Sequence, residues 1–294
     1  MSKNSNSEYI LARNEYILAG IIYGTIGYIL HFVNVPSEYV VVCRGIIGAL
    51  FITTFIKIRH NHINFQSIKD NLLDLFISGA GLGLNWVFLF ASYRYTSVAI
   101  GTLCNYVGPI IVILLSPFLY KEKITLRKFM CVCSAALGII FISGVLSGDA
   151  TNVNLLGIAF GLLSACLFVV NVVFTRRTKD VNVYDKAIAQ LISAALISLP
   201  YALVVNKNVD VTIDIRSVIL IVVLGLIHTG LAYCFYFKAM SVLPVQTFSI
   251  LGYLEPVVAI FVSALLLKEK LTLFGIIGAV LILGAVFVSE RTKN

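Results

Sequence analysis

Residues 249–272 read SILGYLEPVVAIFVSALLLKEKLT, and residues 102–125 read TLCNYVGPIIVILLSPFLYKEKIT. The two stretches lie 147 positions apart, half of the 294-residue chain, and nine of their 24 pairs are identical without a gap. Apolar identities between membrane segments arise by chance, so the weight falls on Tyr106/Tyr253, Pro109/Pro256 and the repeated Lys-Glu-Lys-x-Thr. The same offset pairs Gly83-Leu84 with Gly230-Leu231, and Phe88 and Phe90 with Phe235 and Phe237. Gly20-Ile21-x-Tyr23-Gly24 matches Gly157-Ile158-x-Phe160-Gly161 at offset 137. The chain reads as a tandem duplication, with repeats 1–147 and 148–294 that differ in loop length.

With 59% hydrophobic and 12% charged residues and a mean hydropathy of +0.96, the chain falls outside the soluble globular range, where roughly a quarter of residues are charged. The six cysteines all lie in apolar runs and form no CxxC pair. They read as buried thiols, with neither a metal cluster nor a disulfide framework implied. No cofactor is expected.

Residues 1–14 form a short polar tail, and the first apolar run, 16–33, lacks a small-residue cleavage site, so it reads as a membrane span. Further spans follow near 39–56, 72–91, 97–119, 127–146, 155–174, 184–204, 217–237, 245–266 and 273–288, each long enough to cross about 30 Å of hydrocarbon. That makes an all-α integral membrane protein of ten transmembrane helices, five per repeat. Because five is odd, the second repeat enters the membrane upside down, giving a 5+5 inverted repeat.

The positive-inside rule then sets orientation. With a cytoplasmic N-terminus, sixteen of the 22 Lys and Arg residues fall in inner segments and five in outer ones, and Arg44 alone lies within a span. Both termini are therefore expected to be cytoplasmic, in the plasma membrane. The formal charge of +8 reflects topology and anionic lipid, without nucleic acid.

The Tyr-x-x-Pro helix ending in Lys-Glu-Lys-x-Thr, once per half, resembles the EamA-like branch of the drug/metabolite transporter superfamily. The residues are Tyr106, Pro109, Glu122 and Thr125, then Tyr253, Pro256, Glu269 and Thr272. The run Phe90-Ala-Ser-Tyr-Arg-Tyr-Thr96 resembles the same family at the end of its third span. The resemblance implies a pseudo-symmetric bundle that moves a small metabolite, amino acid or drug by alternating access, often outward. One departure from internal symmetry stands out: position 108 is Gly where its mate is Glu255.

Glu255 is expected near mid-membrane, where a carboxylate costs roughly 2.5–3.5 kcal/mol on insertion scales. It is either a protonatable, substrate-facing group or a structural acid beside the Pro256 break. Arg44 is the natural partner to consider, but it is expected nearer the outer end of its span, and it is read first as a structural or gating residue. His228 is a second candidate for substrate or proton binding, against an ordinary satisfied core histidine. Asn85, Trp86, Asn105, Tyr106, Tyr233 and Tyr253 supply amide and aromatic surface at mid-depth, which suits a small-molecule site and ordinary packing alike. Tyr106 and Tyr253 are favoured because the duplication sets them beside proline breaks. Pro109, Pro117 and Pro256 each free a carbonyl one turn back. The Lys-Glu-Lys-x-Thr elements read as structural, with Thr125 and Thr272 as helix caps.

These features point to a secondary transporter, an exporter of amino acids or related compounds, with protons as the candidate coupling ion. An uptake permease or a broad drug or cation exporter would share the fold. No Walker A run is present, so ATP hydrolysis is unsupported. An intramembrane enzyme would need a nucleophile beside His228, and the sequence offers none. A channel would want rings of like groups, whereas a duplicated chain suits a monomer or homodimer that rocks about its own axis.

Overall fold

The computed structural model describes residues 3–59, 62–120, 125–142, 154–208, 213–243, 251–252, 254–269 and 272–290, and among them there are helices and turns but no strand. Five helices are long and apolar enough to cross a membrane unaided: Ser37–Ile58, Leu72–Tyr95, Leu155–Arg177, Val183–Val205 and Ile215–Met240. These are spans two, three, six, seven and eight. The remaining spans are shorter or broken. Span one is Lys3–Gly24 continued by Ile26–Leu30, and span four is Val98–Asn105 followed by Gly108–Tyr120. Span five is Leu126–Ile142, the described part of span nine ends in Leu254–Leu265, and span ten is Leu273–Glu290.

The first helix departs from the sequence expectation. It starts at Lys3, inside the stretch read as a polar tail, and breaks at Thr25. Tertiary packing overrides composition here: Ala12 and Tyr16 are buried against Ala232, Ala239 and Leu243 of span eight.

Contacts between spans follow a two-fold exchange of the halves. Span one packs on span eight and span six on span three; spans two and seven, four and nine, and five and ten each pack on their own mate. Every such pair joins an odd to an even span, and each runs antiparallel. Along spans one and eight, Glu15 meets Lys238, Tyr16 meets Tyr236, Tyr23 meets Tyr233 and Thr25 meets His228. Along spans five and ten, Ser134 donates to the Leu281 carbonyl while Phe141 stacks on Phe274. This is the order that alternating crossings and an inverted second half require.

Small residues let these helices close up. A Cβ built on Gly83 would lie 2.8 Å from the Ala194 backbone of span seven, and one on its mate Gly230 would strike Phe51 of span two. Gly79 is the tightest against backbone, with the Gln190 carbonyl at 2.5 Å. Gly79→Val is therefore expected to cost about 2–3 kcal/mol through overpacking, read as a lower melting temperature of the purified protein. Gly284, with nothing within 4 Å, is the control: Gly284→Ala should leave melting unchanged.

Glu269 and Thr272, from the Lys-Glu-Lys-x-Thr element of the second half, hold helix ends in place. The Glu269 carboxylate accepts from the Val98 N–H that opens span four and from the Ser263 hydroxyl. Thr272 accepts from the Gly275 N–H at 3.0 Å and so caps span ten. An acid at a helix start satisfies an orphan N–H and complements the helix dipole. The corresponding Glu122 lies outside the described residues.

Candidate functional site

Two prolines, one per repeat, set the middle of the protein. Pro109 has no N–H to give to the Asn105 carbonyl, and span four interrupts at Tyr106 and Val107. Pro256 strips the Gly252 carbonyl in the same way, and that carbonyl accepts from the Tyr106 hydroxyl, across the two-fold, at 3.4 Å. The Tyr106 hydroxyl also lies beside the Glu255 side chain. The break in span four thus touches the carbonyl that Pro256 leaves free in the other half. Tyr253 lies outside the described residues.

Span eight contributes a further irregularity. Residues Leu226–Leu231 form a π-helical turn, a feature frequent at functional sites because it turns side chains out of the regular helical register. Within it, the Thr229 hydroxyl donates to the Leu224 carbonyl at 3.0 Å and accepts from Arg44 Nε at 3.0 Å. His228 turns the other way. Its Nε2 lies 3.0 Å from Thr25 Oγ1, at the break in span one, and its Nδ1 lies 3.4 Å from the Val223 carbonyl. Both ring nitrogens have partners.

Arg44 is only 1% exposed, with its guanidinium 4.0 Å from the Trp86 ring centroid and 5.6 Å from that of Phe90. Cation–π contact offsets part of the desolvation of a buried charge. Nη1 has no hydrogen-bond partner, and neither does the nearby buried Tyr23 hydroxyl. Tyr23, Tyr93, Tyr233 and Glu255 complete the electrostatic surroundings of Arg44. Among the described residues no ion pair within salt-bridge distance joins Arg44 to Glu255. Arg44 and Glu255 share one aromatic-walled region while remaining apart.

Asn85 and Asn105 form a separate polar knot. Asn85 Nδ2 donates to Asn105 Oδ1 and to the Ser164 carbonyl, each at 2.7 Å, and the Ser164 hydroxyl donates to Asn105 Oδ1 at 3.0 Å. This ties spans three, four and six together beside the Tyr106 break. The structure therefore brings together Arg44, Trp86, Tyr106 and Glu255, places Asn85 and Asn105 on one flank, and commits His228 to a bond with span one.

Sequence reasoning missed Tyr23, Phe90, Tyr93 and Thr229 as parts of this region. Tyr23 and Tyr93 lay inside motifs already singled out, but pattern matching gave them no role. The π turn leaves no compositional trace, so Thr229 carried no signal.

The Gly108/Glu255 asymmetry has a packing cause. A Cβ at Gly108 would lie 2.7 Å from the Phe168 ring of span six. The place occupied by a carboxylate in the second half is filled by a phenyl ring in the first.

An apolar groove of about 590 Å³ opens between spans four, nine and ten, lined by side chains such as Leu103, Val257, Ile260 and Leu283. It lacks polar groups to orient a solute.

The family model for EamA-like transporters matches the chain twice, over residues 9–144 and 155–290. An uncharacterized transporter, YxxF, of Bacillus subtilis is 26% identical over 270 residues, covering 91% of this chain and 86% of its own. The uncharacterized transporter PM1281 of Pasteurella multocida is 29% identical over 211 residues, covering 69% and 67%. Protein PecM of Dickeya dadantii is 24% identical over 218 residues, covering 74% and 73%. A solved crystal structure superposes with a TM-score of 0.62 over 95% of this chain and 96% of its own at 19% identity, a likeness of fold. The duplicated Tyr-x-x-Pro motif, the two-fold helix pairing and these matches agree: this multi-pass membrane protein belongs to the EamA-like transporter family of the drug/metabolite transporter superfamily.

Proposed function

We propose that the chain exports a zwitterionic metabolite of amino-acid size by alternating access, holding it between Arg44 and Glu255. One observation carries the reading: a guanidinium buried to 1% exposure whose Nη1 has no partner. An unmade bond on a buried polar group costs about 1–3 kcal/mol, more on a charged one. A substrate carboxylate supplies that bond in the geometry a guanidinium prefers. Glu255, apart from Arg44 and beside the Tyr106 hydroxyl, suits the substrate ammonium or a proton. Trp86, Phe90, Tyr23 and Tyr233 surround Arg44 with flat aromatic faces.

The near-complete burial of Arg44 requires movement before any solute reaches it. Rocking of one repeat against the other supplies that movement, with the breaks at Tyr106 and Thr25 and the π turn as pivots. Both charged groups come from one chain, so one copy is the transporting unit, whether alone or in a homodimer. Glu255 is the group proposed to couple transport to protons, and His228 the fastening of span eight to span one. The region holds binding groups in place of a nucleophile with its base, and no catalysis is proposed. The crowding of Lys and Arg on the face that carries the termini supports cytoplasmic ends in a plasma membrane.

Counter-flow of tritiated amino acids in proteoliposomes tests the reading. The expected result is transient accumulation of label against unlabelled amino acid on the opposite side. Accumulation only with cationic drugs, or flux without counter-flow, would replace it with a drug exporter or a channel. The direction is decided by comparing net flux from the two faces.

A further inference from the structure

A charged cavity lies at the end of the bundle where spans two and eight finish and span seven begins. It measures about 390 Å³, within the range of small-metabolite sites, and is lined by Phe55, Arg59, His62, Tyr184, Asp185 and Lys238. In the proposed orientation this end faces the cytoplasm.

Its charges are not spent on one another. Lys238 is neutralised by Glu15 at 2.7 Å. Arg59 lies 5.4 Å from the Phe55 ring centroid, and among the described residues no carboxylate pairs with it. Asp185 is buried to 3% exposure in the first turn of span seven, where Oδ2 accepts from the Asn64 N–H at 3.2 Å. One free cation and one buried anion thus line the same cavity without an ion pair between them. Two aromatic rings, Phe55 and Tyr184, meet beside them at 6.2 Å.

The ring contacts continue inward. Tyr184 touches Phe237 at 6.0 Å, Phe237 stacks on Tyr233 at 5.5 Å, and Tyr233 reaches Trp86 at 6.4 Å, the ring beneath Arg44. The vestibule and the central region share one aromatic partition and the same pairing of charges.

We infer that this vestibule is a second binding site for the same zwitterionic, aromatic-tolerant solute, with the carboxylate on Arg59, the ammonium on Asp185 and the side chain against Phe55 and Tyr184. The inference rests on the zwitterion reading of the central site, and it adds a loading station on the cytoplasmic side.

The test uses the full chain in nanodiscs with tritiated L-phenylalanine, counting bound label per chain, while emission of the sole tryptophan, Trp86, reports the central site alone. Two bound molecules per chain are expected, falling to one in Arg59→Gln with the Trp86 response intact. The vestibule label should be displaced about tenfold more weakly by 3-phenylpropionate or L-phenylalaninamide, each lacking one charge-assisted bond. Asp185→Asn should spare competition by 3-phenylpropionate; because Asp185 also holds Asn64, the exposed Arg59 decides the matter if that variant fails to express. A wild-type count that never exceeds one while Trp86 responds, or a count of two that survives Arg59→Gln, overturns the vestibule. A count of one that is lost in Arg59→Gln, with Trp86 silent, upholds the vestibule and sinks the central reading. No bound label sinks both.

Discussion

Arg44→Gln is expected to weaken substrate binding and transport about 100- to 1,000-fold, the roughly 3–4 kcal/mol of a buried charge-assisted contact. Equilibrium binding and initial flux in proteoliposomes measure it. The same substitution should leave the melting temperature of the empty protein unchanged or raise it, since it removes a buried charge with an unmade bond. This split separates a binding arginine from a structural one. A structural Arg44, holding Thr229 and stacked on Trp86, would lower the melting temperature and the flux together. Arg44→Lys keeps the charge but loses the planar fork that stacks on the indole, so it should fall well short of full rescue.

The second large effect is expected at Glu255. If this carboxyl exchanges a proton for substrate, a pH gradient drives accumulation of up to about tenfold per pH unit for one proton. Glu255→Gln keeps the size and the place beside Tyr106 but cannot release a proton. It should retain counter-flow and lose the response to the gradient entirely. A variant that still accumulates substrate when the gradient is imposed would move coupling to another group. Phe168 bars an equivalent carboxyl at position 108, so the first repeat offers no substitute at the mirrored place.

The fold was legible from the sequence because duplication leaves a trace that needs no packing information. Tyr106/Tyr253 and Pro109/Pro256 at a fixed offset give two copies, and the odd number of spans gives the inversion. The start of span one was not legible, because the polar residues after Lys3 are held in a helix by contacts that Ala12 and Tyr16 make with span eight. The break of span four was foreshadowed by Pro109. The π turn at Leu226–Leu231 was hidden, since a change in hydrogen-bond register alters no residue type.

The site was half legible. Glu255 and Arg44 announce themselves because charges inside spans are costly, and Trp86 and Tyr106 were among the aromatics singled out. Their grouping depends on which faces of spans one, two, three and eight meet, and a single sequence does not encode that in its spacing. His228 illustrates the point: a histidine at mid-span reads as a candidate until Thr25, 203 positions away, is found against its Nε2. Tyr23 and Tyr93 were likewise silent until the helices were packed.

The central claim is that a zwitterion sits between Arg44 and Glu255 against the indole of Trp86. Because Trp86 is the only tryptophan and the Arg44 guanidinium lies 4.0 Å from its ring centroid, titrating the purified chain with amino acids while recording tryptophan emission reads that site directly. A saturable change, abolished in Arg44→Gln, is the predicted result; emission that stays flat in the wild-type chain at concentrations that saturate its transport would contradict it.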